Sequence, residues 1–268
     1  MAEAQILSID GELLEPGEAT ISALDDGLLR GDGAFEMIRV YGGYPFTLDE
    51  HLARLAHSAA AIELDYDEDA LRSEIRDLLA DSPGCDAGLR LVVTRGGRRI
   101  AMLEKIPEWA ATTSIALLTY TPNEILTGVK SISYAANMQA GRLAAARGAA
   151  EAVFVRPDGI VLEAPTSSIF WVGDDDRLRT PAIETGILAS ITREQLLDVL
   201  ETEEGHFDVG ELRAAKEAFL ASTTREVQAI ATIDGAALAA APGPRTREAR
   251  ALFSEIVTGE RAAAAQDD

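Results

Sequence analysis

The most informative stretch of the chain is Thr127-Gly128-Val129-Lys130-Ser131-Ile132-Ser133-Tyr134, a run of apolar and hydroxyl residues around one lysine. The chain has three lysines against twenty-one arginines, and the other two, Lys105 and Lys216, sit beside acidic residues. An amine can lose its proton when it is buried and attack a carbonyl, whereas a guanidinium cannot. Lys130 is therefore a candidate for an imine-forming nucleophile. This segment alone also allows a lysine that reaches solvent from a strand edge.

Composition limits the class of protein. The 268 residues allow one large domain or two modest ones, and 47% hydrophobic content is typical of a soluble globular protein. The sequence has no apolar run of membrane-spanning length, and Met1-Ala2-Glu3-Ala4 lacks the basic start expected of a secretory signal. Its single cysteine, Cys85, excludes an internal disulfide. The net charge of -21 argues against nucleic acid or an anionic membrane as partner. We expect a cytoplasmic protein.

The hydrophobic pattern divides the chain into two α+β halves. The predicted domains are 1–120 and 127–268, joined by a crossing at 121–126. In the first half the pattern predicts a hairpin at 5–9 and 12–14 and strands at 34–40, 89–94 and 113–120. It also predicts two helices, one that begins with a capping box of Thr47 and Glu50 and one at 67–80. In the second half it predicts helices at 135–147, 192–200 and 246–257, strands at 152–156, 160–163, 168–172, 218–221 and 227–233, and a frayed tail at 262–268.

Three groups in the second half could complement Lys130. Residues 186–193 form a hydroxyl-bearing loop that opens a helix, which suits either an anion site or an ordinary N-cap. The turn at 222–226 could hold phosphate oxygens or simply close a hairpin. Glu163 ends a strand that we expect to be buried, so it needs a partner such as a cationic heterocycle nitrogen or Arg193. Together, an amine, two phosphate-type turns and a buried carboxylate indicate pyridoxal phosphate.

The order of these motifs resembles the class IV, or fold-type IV, pyridoxal-phosphate enzymes. That family includes branched-chain and D-amino acid aminotransferases, (R)-amine transaminases and 4-amino-4-deoxychorismate lyases. The resemblance covers nearly the whole chain and is carried by six blocks, at 30–36, 49–55, 130–134, 162–168, 190–193 and 222–226. It implies an α+β N-terminal sandwich and a C-terminal pseudo-barrel, with the cofactor between them, in a homodimer.

The resemblance also implies roles for individual residues. Lys130 would form the Schiff base with pyridoxal 5'-phosphate and move a proton during the reaction, and Glu163 would pair with the pyridine nitrogen. Arg54 would bind the phosphate, although an arginine on an amphipathic helix is more commonly solvated. The remaining predicted cofactor contacts are Tyr134 at the phenolic oxygen, where a packing role is the alternative, and Ile191, Thr192, Ser222 and Thr223 at the phosphate.

The substrate is harder to predict from the resemblance. Phe35 stands where D-amino acid aminotransferases place a carboxylate-binding tyrosine, and Arg30 stands where branched-chain enzymes carry a tyrosine. Met37 occupies a position that is often threonine in the lyases. The candidates for binding substrate carboxylates are four arginines, each of which could instead be a surface residue: Arg30, Arg39, Arg98 and Arg99.

These observations predict an aminotransferase that moves an amino group from an amino acid or primary amine to a 2-oxo acid, with no metal. The alternative is 4-amino-4-deoxychorismate lyase, which produces 4-aminobenzoate and pyruvate. A non-catalytic protein that binds phosphate or the vitamer would not need a titratable lysine. A lysine-imine aldolase would have no use for two phosphate turns and Glu163.

Overall fold

The structure is a computed structural model that describes residues 4–267. The chain divides into two compact units, residues 4–108 with 129–134 and residues 109–128 with 135–267. The predicted domains at 1–120 and 127–268 stay a prediction, and the contacts of two segments account for the division into these units. The strand at 112–119 pairs only with strands of the second unit, whereas the segment around Ser131 bridges to Ala34 in the first.

The first unit is an antiparallel sheet of six strands with helices on one face. The strands are β1 (Ala4–Ile9), β2 (Glu12–Leu14), β3 (Gly33–Tyr41), β4 (Tyr44–Pro45), β5 (Ala87–Thr94) and β6 (Arg99–Glu104). The helices are α1 (Asp26–Arg30), α2 (Leu48–Ala61) and α3 (Glu68–Asp81). The strand order is β2-β1-β6-β5-β3-β4.

Alternation along β3 separates the two faces of this sheet. Ala34, Ile38 and Val40 are fully buried and share a core with leucines of α2 and α3. Because successive side chains in a strand point to opposite faces, Phe35, Met37 and Arg39 lie on the other face. The sheet therefore presents two of the predicted substrate residues, Phe35 and Met37, side by side.

The predicted start of α3 is confirmed, whereas the predicted start of α2 is not. The helix at 67–80 is confirmed with a shift of one residue, and the Asp67 carboxylate caps it by accepting the Ala70 amide over 2.9 Å. The capping box of Thr47 and Glu50 is wrong. Thr47 adopts a left-handed conformation with φ of 51°, and its hydroxyl donates to the Phe46 carbonyl instead of capping α2.

The second unit contains an eight-stranded mixed sheet. Its strands are β7 (Thr112–Thr119), β8 (Glu151–Val155), β9 (Ser168–Val172), β10 (Leu178–Pro181), β11 (Thr202–Gly205), β12 (Glu217–Ser222), β13 (Glu226–Ile233) and β14 (Ala236–Ala237). They follow the order β11-β10-β9-β12-β13-β7-β8, with β14 paired to β13. Its helices are α4 (Ala135–Ala146), α5 (Ile191–Val199), α6 (Val209–Arg213) and α7 (Pro244–Asp267).

The core of this sheet is aromatic and aliphatic. Trp171 is fully buried with Ile169 and Leu220 on one face, while the rings of Phe170 and Phe219 stack 4.9 Å apart on the neighbouring strands β9 and β12. The last helix is longer than predicted. It continues past Val257 to Asp267, and the run of alanines at 262–265 has high helix propensity. The predicted frayed tail at 262–268 stays a prediction, and its last residue, Asp268, lies outside the described residues. Across residues 4–267, no helix has the length and apolarity needed to cross a membrane.

Candidate active site

Lys130 lies in the segment 129–134 of the first unit, which runs beside β3. Its amide donates to Ser58 Oγ on α2 over 3.1 Å, and its carbonyl accepts the Phe35 amide over 3.0 Å. Its Nζ atom lies over the Phe35 ring, 4.4 Å from the ring centre, which is a favourable contact for an ammonium group. The backbone of the lysine is thus anchored on both sides, with the amine beside a predicted substrate residue.

Tyr134 ends this segment and also contacts Phe35. The two rings meet edge to face with centres 5.3 Å apart. The Ser133 hydroxyl donates to the Gly31 carbonyl over 2.8 Å. Gly31 has φ of 69°, and a Cβ atom there would lie 2.7 Å from Ser133 Oγ, so only glycine allows this approach. The packing of Tyr134 is observed, whereas its contact with a cofactor stays a prediction.

Arg54 is held by a buried carboxylate on β3. Its Nε and Nη2 atoms each donate to Glu36 over 2.7 Å, one to each oxygen, and His51 Nδ1 lies 2.8 Å from the same carboxylate. Burial alone would raise the pKa of Glu36, but the bonds from Arg54 and His51 outweigh it and lower the pKa to about 2. An ionised carboxylate only accepts, so His51 Nδ1 carries the hydrogen. The alternative of a solvated Arg54 does not describe this arginine.

Arg30 and Arg39 pair with local groups. Arg30 is exposed and bonds Asp26 one turn earlier in α1. Arg39 Nη1 donates to the carbonyls of Val40 over 2.7 Å and Ala87 over 3.1 Å. These contacts explain both arginines structurally, and a role with substrate stays a prediction.

Arg98 and Arg99 follow the β5–β6 turn and bond acids from elsewhere in the first unit. Arg98 pairs with Asp10 in the β1–β2 turn, and Arg99 donates to Glu74 of α3 through Nε at 2.9 Å and Nη2 at 2.7 Å. Arg98 therefore connects the β5–β6 region to the β1–β2 turn, and Arg99 connects β6 to α3. Their contact with substrate is likewise untested.

A further arginine, which the sequence motifs did not single out, lies close to Phe35. Arg90 on β5 pairs in register with Met37, and its guanidinium carbon lies 5.8 Å from the Phe35 ring centre. Its Nε and Nη2 atoms donate to the buried Glu104 over 2.5 and 3.0 Å. The signal in the sequence was a charged residue inside the otherwise apolar run 87–93. Among residues 4–267, its Nη1 atom makes no hydrogen bond.

In the second unit, Glu163 stands just before a tight turn. Its Oε1 atom accepts the Leu188 amide over 2.9 Å. The turn that follows is closed by two backbone bonds between Ala164 and Ser167, and Asn137 Nδ2 donates to the Pro165 carbonyl over 2.7 Å. Arg193, the alternative partner considered for Glu163, bonds other groups.

Ile191 and Thr192 occupy the first turn of α5. The Ser190 hydroxyl caps the helix by accepting the Arg193 amide over 3.4 Å. The buried Arg193 side chain donates to the Pro181 carbonyl over 2.8 Å and to Glu204 over 2.5 Å. The start of the helix is therefore both capped and tied to β10 and β11, and its first-turn amides carry the partial positive charge that suits a phosphate.

Ser222 and Thr223 lie where β12 turns into β13. Ser222 is the last residue of β12 in register with β13, opposite Glu226. Within the described part of the chain, neither the Ser222 nor the Thr223 hydroxyl has a hydrogen-bond partner. Two hydroxyl donors on a short turn suit phosphate oxygens.

The donor set matches pyridoxal phosphate group by group. The first unit carries an anchored primary amine and a guanidinium, and the second carries a carboxylate, a capped helix start and a hydroxyl turn. An aldehyde, a pyridine nitrogen and a phosphate call for these residue types. The residues present therefore fit this cofactor.

Comparison with known proteins places the chain in a family. Its fold is that of the fold-type IV transaminases: the fold IV-transaminase CpuTA1 from Curtobacterium pusillum superposes with a TM-score of 0.82 at 30% identity, covering 94% of this chain and 99% of that one. A family profile described as amino-transferase class IV matches residues 33–233. The chain belongs to the class IV aminotransferases. The predicted family, the two-domain α+β fold type and the prediction of an enzyme are confirmed.

Two further similar proteins align with nearly the whole chain. The D-alanine aminotransferase of Bacillus licheniformis is 34% identical over 278 residues, which span 94% of this chain and 97% of that protein. A hypothetical aminotransferase from Mycobacterium tuberculosis has a TM-score of 0.86 at 25% identity in a PLP-bound form, covering 95% of this chain and 99% of that one. The same protein was also solved with alpha-ketoglutarate and PMP bound.

Proposed function

We propose that this aminotransferase moves the amino group of an amino acid to a 2-oxo acid, with pyridoxal 5'-phosphate as its cofactor. The observation that carries the proposal is Lys130, whose backbone is bonded on both sides while its amine lies over the Phe35 ring. When bound, the cofactor supplies an aldehyde that accepts the amino group and a ring that accepts electrons as the substrate's Cα proton leaves.

The residues of the chain then have separate tasks. Lys130 would hold the cofactor through its amine and would carry the proton that moves between the substrate Cα and the cofactor. Glu163, oriented by the Leu188 amide, keeps the pyridine nitrogen protonated. Arg54 and the hydroxyls and first-turn amides at 191–192 and 222–223 bind the phosphate.

The choice of amino acids over simple amines rests on Arg90. Nε and Nη2 face Glu104, so Nη1 can donate to a substrate carboxylate without breaking that pair. Phe35 and Met37 occupy the same sheet face and line the apolar side of the substrate. The relatives named D-alanine aminotransferase make D-alanine the first donor to test.

The lyase alternative has less support from the site. Met37, where the lyases often have threonine, presents a thioether that would lie 3.0 Å from a Cβ at Gly88. A thioether cannot donate a proton, so this position offers no help to pyruvate elimination.

A homodimer and a cytoplasmic location belong to the same proposal. Leu24, Leu28 and Leu29 are 82%, 60% and 56% exposed around the short helix α1, and such a cluster is suited to contact with a second copy. The single Cys85 suits a reducing compartment. Sedimentation equilibrium of the wild type and of Leu28→Glu tests the dimer; a monomeric wild type contradicts it.

The test of function compares two lysines. Lys130→Ala should be colourless and inactive, whereas the control Lys216→Ala should keep its colour and activity because that lysine only bonds Asp174 and Asp176 at the surface. Donors are D-alanine, L-leucine, (R)-1-phenylethylamine and aminodeoxychorismate, with alpha-ketoglutarate as acceptor for the first three. A wild type that binds no pyridoxal phosphate overturns the proposal. Rapid formation of 4-aminobenzoate without amino transfer establishes the lyase instead.

A further inference from the structure

The turn between β12 and β13 has a strained backbone. It spans residues 222–226, and Glu226 has φ of 55°, a left-handed conformation that disfavours residues other than glycine. Such a conformation is unfavourable for a residue with a side chain and persists where neighbouring groups hold it. Ser222 and Thr223 therefore depend on contacts made elsewhere in the turn.

Trp109 supplies the first of these contacts. Its Nε1 atom donates to the Thr224 carbonyl over 2.8 Å. The indole bridges 115 residues of sequence to reach the middle of the turn. A phenylalanine at this position would keep a smaller aromatic ring and lose the donor.

Arg225 supplies the second contact, from inside the turn. Its side chain is buried, with Nη2 donating to Glu151 over 2.6 Å and Nη1 to Gln228 over 2.6 Å. The guanidinium also stacks on Trp109, 4.0 Å from the ring centre. The plane of the guanidinium is thus fixed by two hydrogen bonds and by an aromatic face.

The two contacts form one closed cluster. Gln228 Nε2 donates to the carbonyl of Ala110, the neighbour of Trp109, over 2.7 Å. Glu151, at the start of β8, provides the charge that a buried guanidinium requires. The cluster binds the carbonyl of Thr224 and the side chain of Arg225, and it uses neither the Ser222 nor the Thr223 hydroxyl.

We infer that Trp109, Arg225 and Glu151 are positioning residues that hold the 222–226 turn ready to bind the cofactor's phosphate. The inference rests on the proposed role of Ser222 and Thr223 as phosphate ligands. A turn that is already ordered loses little conformational freedom when phosphate binds, so the cluster raises cofactor affinity without contacting the reacting atoms.

The experiment titrates the full-length apoenzyme with pyridoxal phosphate by calorimetry and records the 31P spectrum of the bound cofactor. Trp109→Phe should raise the dissociation constant about 3- to 10-fold, as expected for one neutral hydrogen bond. It should also move the 31P resonance and leave kcat at saturating cofactor nearly unchanged. Arg225→Lys should weaken binding further. The matched control is Arg213→Lys, because Arg213 pairs with Asp234 at the surface of the same unit.

Ser222→Ala separates this inference from the proposed site. If Ser222→Ala and Thr223→Ala both bind the cofactor as tightly as wild type, the turn is not a phosphate ligand and both assignments fall. If Ser222→Ala weakens binding while Trp109→Phe retains the wild-type constant and 31P shift, only the positioning role is overturned. Thermal melting of each apoenzyme identifies a variant that does not fold; should Arg225→Lys be one, Trp109→Phe decides the question.

Discussion

Glu36 accepts two hydrogen bonds of 2.7 Å from Arg54, one on each carboxylate oxygen, and thereby ties β3 to α2. The same carboxylate lies 2.8 Å from His51 Nδ1, one turn before Arg54 on α2. A fully buried carboxylate is costly unless it is paired, and here a guanidinium and an imidazole satisfy it. The carboxylate of Glu36 therefore fixes the orientation of Arg54, the arginine proposed to bind the phosphate.

Removing that charge should destabilise the protein strongly. Glu36→Ala removes the buried carboxylate that pairs with the largely buried Arg54, and we expect a loss of about 3–5 kcal/mol in the free energy of unfolding. Urea denaturation of the apoenzyme measures it. Glu68→Ala is the control, because its partner Arg72 is more exposed and the pair should contribute less than about 1 kcal/mol. Equal losses for the two variants contradict the structural role of Glu36.

The same cluster predicts acid sensitivity. Burial lowers the pKa of His51 below 6.5, with the Glu36 bond opposing it, and the pKa of Glu36 is held at about 2 instead of 4.5. Below pH 6.5 the unfolded chain binds a proton at His51 that the folded protein resists, so stability falls. Below pH 4.5 the same applies to Glu36, whose shift is worth about 3 kcal/mol in total.

The free energy of unfolding, measured from pH 8 to 4, tests the predicted loss of stability in acid. The wild type should lose stability continuously as the pH falls through both regions. His51→Gln keeps a hydrogen-bonding side chain without a titratable ring, so the slope between pH 7 and 5 should flatten in that variant. An unchanged slope would assign the acid sensitivity to other groups.

A second buried carboxylate caps the last helix. Glu217 of β12 accepts the Arg245 and Thr246 amides over 3.0 Å each and the Thr246 hydroxyl over 2.8 Å. Glu217→Ala leaves these donors unsatisfied, and we expect a loss of about 2–3 kcal/mol. Chemical denaturation followed by circular dichroism measures it. The control Glu248→Ala removes only a surface partner of Arg245 and should cost less than about 1 kcal/mol; a comparable cost would refute the capping role.

The family and the candidate residues could be predicted because the motifs are local. Lys130 stands out by residue type alone, and the hydroxyl turns at 190–192 and 222–223 are recognisable within a few residues. Alternation along β3 likewise predicts that Phe35 and Met37 share a face. These signals need no knowledge of distant contacts.

The remaining features depend on contacts between residues far apart in sequence. The pairs of Arg98 with Asp10 and of Arg99 with Glu74 cannot be predicted from motif spacing, and a role of both arginines with substrate stays a prediction. The strand at 112–119 was assigned to the first domain because its partners, β8 and β13, follow it by 30 residues or more. Thr47 could not be recognised as an exception to the capping rule, since its left-handed backbone is uncommon for a threonine and has no signal in the residue type.

Arg90 provides the sharpest test of substrate class. Arg90→Lys keeps a positive charge but loses the planar fork that pairs with Glu104 through two nitrogens and leaves Nη1 for a carboxylate. We expect KM for an accepted amino acid to rise about 10- to 100-fold, as for a lost charge-assisted hydrogen bond. The rate with (R)-1-phenylethylamine, which has no carboxylate, should change little if that amine is a substrate.

Two comparisons make this result specific. Arg99→Lys should leave KM unchanged, because Arg99 is committed to Glu74 of α3. Glu104→Gln removes the charge that holds Arg90 but keeps a hydrogen-bonding side chain, so it should raise KM less than Arg90→Lys does. If Arg99→Lys raises KM and Arg90→Lys does not, the carboxylate is bound by the arginine after the β5–β6 turn, and the substrate lies at that end of the sheet.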